Sequence, residues 1–314
     1  MHYSGTDVSV GATEDTILGS VNINFADPLS QNSANVFFTK DETNVSIAGA
    51  GYSNSQYLLN YSAVAYGVID KAQRKNVRDY GVMLNATLPF YEAGYYYSAL
   101  QSSFFQDYDT LQREPLSLSL VLNRAESYGL SAYANSLQRV ELYAVNERSD
   151  TIVGGSFSLK HDLPYEFYVG VGAKYSRTNS VTGLEDRGVK LSVTAVDSSL
   201  DPSSIDIPSL DISLYAKDAG YAEVSLAKVL NFSAYFFTFP ISLQRESIYS
   251  KYRYYEVHDF ANIAYRANEL TLGLTLSTVY FNSFELPISI EYLYNDSEFI
   301  LNESKFRFLL GSTF

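Results

Sequence analysis

Phe284-Glu285-Leu286-Pro287-Ile288-Ser289-Ile290-Glu291-Tyr292-Leu293-Tyr294 is the stretch whose reading decides the fold. Phe284, Leu286, Ile288, Ile290, Tyr292 and Tyr294 fall on alternate positions, with Glu285, Pro287, Ser289 and Glu291 between them. Successive side chains of a strand point to opposite faces, so a period of two makes one apolar and one polar face.

The same period extends outward from this stretch. Leu270, Leu272, Leu274, Leu276 and Tyr280 stand opposite Glu269, Thr271, Gly273, Thr275 and Ser277. Tyr165, Phe167, Val169, Val171, Ala173 and Tyr175 stand opposite Glu166, Tyr168, Gly170, Gly172, Lys174 and Ser176. Leu116, Leu118, Leu120 and Leu122 alternate with Ser117, Ser119 and other residues, and Tyr80, Val82, Leu84, Ala86, Leu88 and Phe90 oppose Gly81, Asn85 and Thr87. No stretch repeats at helical spacing over three turns. The strands run to about 9–13 residues, the length a tilted strand needs to cross a bilayer and well above the ~5–6 of soluble sheets. A soluble sandwich would bury the apolar face; a membrane barrel turns it to lipid and keeps Gly, Ser, Thr, Asn and scattered charges for the lumen.

The expected fold is therefore all-β: one closed antiparallel transmembrane β-barrel of about 18 strands over residues 1–314. Segments 187–196 and 208–216 are the least regular pair, and without them the count is about 16. An even count puts both termini on one side. Pro28, Pro89, Pro164, Pro202 and Pro240 then fall in or beside turns on that side.

Composition agrees. Aromatics make up 15% of the chain, as 28 Tyr and 19 Phe with no Trp, and such residues favour strands and membrane–water interfaces. There is no Cys, which excludes disulfides and thiol chemistry. A net charge of −13 excludes a basic nucleic-acid footprint. No apolar run is long enough for a transmembrane helix. Met1-His2-Tyr3-Ser4-Gly5 lacks the basic start of a signal peptide, so the expectation is a mature chain or the C-terminal domain of a larger protein.

The chain ends Lys305-Phe306-Arg307-Phe308-Leu309-Leu310-Gly311-Ser312-Thr313-Phe314. Phe306, Phe308, Leu310 and Phe314 share one face, and this end resembles the last strand of bacterial outer-membrane barrels. The resemblance implies that the barrel-assembly machinery reads these residues as an assembly signal. Ser312 departs from the pattern, standing where an apolar residue is usual. The closing hairpin, Leu286 to Tyr292 with Phe306 to Phe314, resembles the surface-antigen superfamily of assembly and secretion barrels, and also barrels appended to periplasmic propeller domains. The superfamily's arginine-glycine-aromatic motif is not matched, because Arg187-Gly188 is followed by Val189. The resemblance implies the outer membrane of a Gram-negative bacterium. The implied partners are membrane lipid and lipopolysaccharide, the assembly machinery, and a periplasmic domain or partner.

Candidate lumen charges follow from parity. Arg245, Lys251 and Arg253 share one face against Ile248, Tyr252 and Tyr254, and they face the lumen with Glu285 and Glu291. Their roles are an ion-field ladder or structural salt bridging. His161-Asp162 and His258-Asp259 suggest catalytic dyads, but the strand map puts them at opposite ends of the barrel. Gly154-Gly155 and Gly170-x-Gly172 fall inside strands, where glycine permits close approach, rather than in phosphate loops. No enzyme activity, cofactor or metal is expected. With connections of no more than about a dozen residues, the lumen is either open or filled by something outside this chain. Two function classes stand: a pore or transport barrel, and a non-conducting anchor or assembly domain for a periplasmic partner.

Overall fold

The structure, a computed structural model, describes residues 1–13, 17–41, 45–70, 77–107, 115–126, 136–147, 150–180, 188–192, 201–210, 214–230, 234–236, 241–280, 284–298 and 304–310. Eleven strands follow one another as an antiparallel meander. They are β1 (His2–Thr13), β2 (Ile17–Ala26), β3 (Asn32–Asp41), β4 (Val45–Asn54), β5 (Asn60–Asp70), β6 (Val77–Ala93), β7 (Tyr96–Asp107), β8 (Pro115–Glu126), β9 (Ser136–Glu147), β10 (Asp150–Leu163) and β11 (Phe167–Thr178). Three short strands come next: β12 (Val189–Ser192), β13 (Ile205–Asp206) and β14 (Leu214–Ala216). The wall resumes with β15 (Asp218–Leu230), β16 (Ala234–Phe236), β17 (Ile241–His258), β18 (Ala264–Tyr280), β19 (Phe284–Ser297) and β20 (Ser304–Leu310).

Each wall strand pairs antiparallel with the next, and β11 pairs with β15. β16 lies beside β17 just past the end of β15 and occupies the same place in the sheet, so the large sheet has 16 strand positions. β20 also pairs with β1, from Val10–Leu310 to Thr13–Arg307, but the sheet does not close into the complete barrel that the sequence led us to expect. That seam is four residue pairs long, whereas β17 and β18 pair along their whole length.

Burial along the strands is inverted relative to a soluble sheet. On β8 Leu118 is 55% exposed and Ser119 only 4%. On β9 Leu142 is exposed while Glu141 and Tyr143 on either side are buried. On β19 Ile290 and Tyr294 point out, and Ser289, Glu291 and Asn295 point in. The apolar face read from residues 284–294 is thus the outer one.

Two expectations need correction. The wall has 16 positions, not 18, because segments 187–196 and 208–216 do not cross. They contribute β12 and β14, of four and three residues, far short of the roughly 9–11 needed to span a bilayer. With β13 they form a separate small mixed sheet. Their alternation is real but serves a different surface: Val189, Leu191, Ile205 and Ile207 are buried against the inner wall. The connection between β11 and β15, residues 179–217, is accordingly far longer than expected, and its described residues pack on the inner wall. Pro202 lies in a turn as expected, but a buried one within this segment, and Pro89 lies inside β6 at a register shift. Pro28 and Pro164 do sit in turns, and Pro240 lies outside the described residues.

The β2–β3 turn shows how a short connection is fixed. The Asp27 carboxylate accepts the backbone N–H of Gln31 at 2.8 Å and that of Asn32 at 3.1 Å, and the Asn32 side-chain amide at 2.8 Å. The bond from the Asn32 side chain, helped by the backbone donors, holds the Asp27 carboxyl below the usual carboxylate range.

Candidate functional site: a lumen with an inward-folded segment

Register determines which inward side chains meet. Arg253 on β17 stands opposite Glu223 on β15 and Glu269 on β18. Its Nε donates to Glu223 Oε2 at 2.6 Å, and its Nη1 donates to Asp206 Oδ2 of the inward segment at 3.3 Å. The guanidinium also lies over the Tyr221 ring, 4.9 Å from the centroid. A buried guanidinium needs such partners, since an unpaired buried charge is strongly destabilising. Arg253 therefore ties β15, β17 and the inward segment together.

Further latches surround it. The Tyr255 hydroxyl donates to the Asp206 carbonyl at 3.1 Å. Glu269 Oε2 accepts the Ser209 N–H at 3.1 Å and its hydroxyl at 2.6 Å, and the Asn295 amide donates to Ser209 Oγ at 2.6 Å. On the β11 side Ser176 Oγ donates to the Ser203 carbonyl at 2.7 Å and is in turn bonded to the Tyr143 hydroxyl at 2.7 Å. The segment is thus held from β9, β11, β17, β18 and β19.

Beside these bonds lies an apolar core on the inner face of the sheet. Val189, Leu191, Ile205, Ile207 and Leu210 pack with wall residues that include Val145, Ile152, Ala219, Tyr255, Val257 and Ala267. A fully buried aliphatic side chain contributes about 1.5–3 kcal/mol, against about 0.5–1.5 for a hydrogen bond. The core therefore supplies most of the segment's hold on the wall, and the polar latches set its position.

A second cluster sits on β17, β19 and β20. Arg307 Nε donates to Glu291 Oε2 at 2.6 Å, and the Tyr249 hydroxyl donates to the same carboxylate. Arg139 and Glu141 pair at 3.0 Å on β9. Among the described residues no group of three metal-ligating side chains converges.

The opposite wall differs. There the inward groups bond in neutral pairs: Asn35 to Asn22 at 3.0 Å, Ser33 to Ser53 at 2.6 Å, Asn85 to Ser62 at 3.3 Å, and Ser103 to Ser117. Bulky rings lie flat across neighbouring glycines. Phe37 faces Gly49 and Tyr66 faces Gly81, as Tyr143 faces Gly154 and Tyr249 faces Gly273 on the other side. In each case a Cβ on the glycine would collide with the ring.

Lys251, Arg253 and Glu291 lie on the inner face of the sheet. Arg253 and Glu291 do not pair with each other, because each has a nearer partner on an adjacent strand or on the inward segment. The side chains of Arg245 and Glu285 lie outside the described residues. The β17 register shifts between Gln244 and Glu246, so parity does not carry from Lys251 back to Arg245. Phe306 and Phe308 point outward and are exposed. Leu310 pairs with Val10 at the seam, and its side chain and all of Phe314 lie outside the described residues. His258 Nδ1 contacts Asp218 at 2.7 Å rather than Asp259, whose carboxylate accepts the N–H groups of Ala261 and Ile263. His161 lies at the other end of the barrel, 3.8 Å from Asp162. Asp206, Ser209, Glu223 and Asn295 were not picked out from the sequence. The signal that could have found Asp206 is the alternation of Ile205-Asp206-Ile207; nothing in the pattern singles out Ser209.

No family model matches the chain, and no curated protein matches it. Solved structures do. CdiB from Escherichia coli is 11% identical with a TM-score of 0.64, over 97% of this chain and 62% of that one. BamA from Haemophilus ducreyi lacking POTRA domains 1–3 is 12% identical with a TM-score of 0.59, over 99% of this chain and 70% of that one. A bacterial polysaccharide outer membrane secretin is 8% identical with a TM-score of 0.57, over 98% of this chain and 97% of that one. The chain therefore spans about three fifths of CdiB, at 62% of its length. At these identities the likeness is one of fold, and it agrees with the resemblance carried by the closing hairpin: the chain has the fold of the bacterial outer-membrane β-barrels.

Proposed function

We propose that the chain is a transmembrane barrel of a bacterial outer membrane, closed along the β1–β20 seam, and that it passes small solutes through a lumen narrowed on one side by the inward-folded segment. It would form the membrane part of a larger protein. The observation that carries this reading is the inverted burial. Leucines and isoleucines face out along most strands while Glu141, Arg253, Glu269 and Glu291 are buried inside, an arrangement suited to lipid outside and water inside.

The test is conductance of the refolded chain in a planar bilayer, on protein whose heat-modifiable gel mobility proves it folded. Steady openings are expected, smaller than those of an unobstructed barrel of this size. A variant with 188–210 replaced by a short glycine-serine linker should conduct more. A second reading has its own support, since the inward segment carries an apolar core and so behaves as a fixed filling. On that reading the barrel is a non-conducting anchor for a periplasmic partner. Folded barrels that never conduct would sink the pore and leave the anchor.

A further inference from the structure

One row of the barrel wall is unlike the rest. Lys160 on β10 stands opposite Gly170 on β11, Gly170 opposite Ser225 on β15, and Ser225 opposite Lys251 on β17. Two lysines thus flank a floor of glycine and serine, three strand spacings apart, or about 14 Å between backbones. A Cβ placed on Gly170 would collide with Ser225 Oγ and come within 3.4 Å of Lys160 Cγ, so both side chains lean over the glycine. The row lines a cavity of about 160 Å³ that Tyr168 and Tyr249 border on one side and Glu223 on the other. That volume holds several waters or one small anionic group.

The two carboxylates nearest this cavity bond to groups other than its lysines. The Glu223 carboxylate is engaged by Arg253 at 2.6 Å, and Glu291 is engaged by Arg307 and Tyr249. Among the described residues no carboxylate lies within 4.0 Å of the Lys160 or Lys251 ammonium. The ammonium groups, with the Ser225 hydroxyl on the floor, are donors, and an oxyanion accepts from all of them.

We infer that Lys160, Gly170, Ser225 and Lys251 form a binding cradle inside the lumen for a small solute bearing a carboxylate or phosphate group, just below the inward-folded segment. The inference deepens the pore reading and rests on it, because the solute reaches the cradle through the lumen. Gly170 is the space-maker, the lysines supply the charge, and Ser225 supplies the hydrogen bond that orients the anionic group.

The test is isothermal titration calorimetry on the folded full chain in detergent at low ionic strength, with inorganic phosphate, glucuronate and uncharged glucose as probes. One saturable site is expected for phosphate or glucuronate and none for glucose. Preference for glucuronate over phosphate would assign the carboxylate source, and the reverse the phosphate source. Lys251→Gln should weaken binding roughly 10–100-fold, the size of one charge-assisted hydrogen bond, and Lys160→Gln with Lys251→Gln should abolish it. Gly170→Val should fill the cradle and also abolish it. Both lysine variants leave the floor intact, and heat-modifiable mobility checks that they fold. No binding to a folded barrel, or binding that the double variant leaves unchanged, overturns the cradle. Neither result touches the pore reading, which stands or falls on conductance alone.

Discussion

Across β2–β8 the inward side chains are Asn22, Ser33, Asn35, Ser53, Ser62, Asn85, Ser103, Ser117 and their like, and they bond to one another across strands. Across β9–β11, β15 and β17–β20 they include Arg139, Glu141, Lys174, Glu223, Arg253, Glu269, Glu291 and Arg307, and the inward segment is built onto this half alone. Both halves follow the same alternation. Alternation decides only which side faces in. What fills the lumen depends on whether inward groups satisfy one another. Neutral amides and hydroxyls do so in pairs and leave a wettable wall. Buried charges need opposite charges or several donors, and Asp206 and Ser209 supply them from the segment.

The sharpest way to break the comparison is Arg253→Leu, which leaves Glu223 and Asp206 without their cation. A loss of about 3–5 kcal/mol is expected in urea unfolding from lipid vesicles. Asn35→Ala on the neutral wall should cost no more than about 1 kcal/mol in the same assay. Next in size is the outer face, which both halves share. Leu118→Arg should cost about 2–4 kcal/mol in lipid, where the same change on a water-facing surface is worth about 0.5 or less. A near-zero cost would mean that this face does not meet lipid. Glu269→Gln keeps the shape of its site but weakens the bonds to Ser209. A loss of about 1–2 kcal/mol is expected, together with faster hydrogen exchange confined to 203–210 and no change on β2–β8.

The smallest effect lies in the β2–β3 turn. Asp27 titrates below its unfolded value, so its bonds contribute fully above that value, near pH 4, and are lost as pH falls through the lower folded value. Nuclear magnetic resonance shifts of the Gln31 and Asn32 amides should titrate only below pH ~4. In Asp27→Asn they should not titrate at all.

Much of this was legible in sequence. Residues 284–294 and their counterparts gave strand, face and membrane length, because period two is a local property. What misled was 187–196 and 208–216, where Val189-Lys190-Leu191 and Leu210-Asp211-Ile212-Ser213-Leu214 alternate as a wall strand does. An apolar face packed on the inner wall and one facing lipid have the same pattern, and only tertiary packing separates them. The pairing of Arg253 was hidden for a related reason: Asp206 is remote in sequence, and the register that sets Glu223 opposite depends on leaving the short strands out of the wall.

The rings that lie over glycines have a consequence for how such a chain finds its pairing. A strand that slips by one residue turns its leucines inward and is rejected at once. A slip by two keeps every face correct, and alternation offers no objection to it. Tyr66, Tyr143 and Tyr249 do object, since each lies over a glycine directly opposite. Two positions away the rings would meet Met83, Ser156 or Thr275 instead of Gly81, Gly154 or Gly273. These contacts act as a key for the three hairpins that carry them, disfavouring alignments that a repetitive sequence would otherwise tolerate.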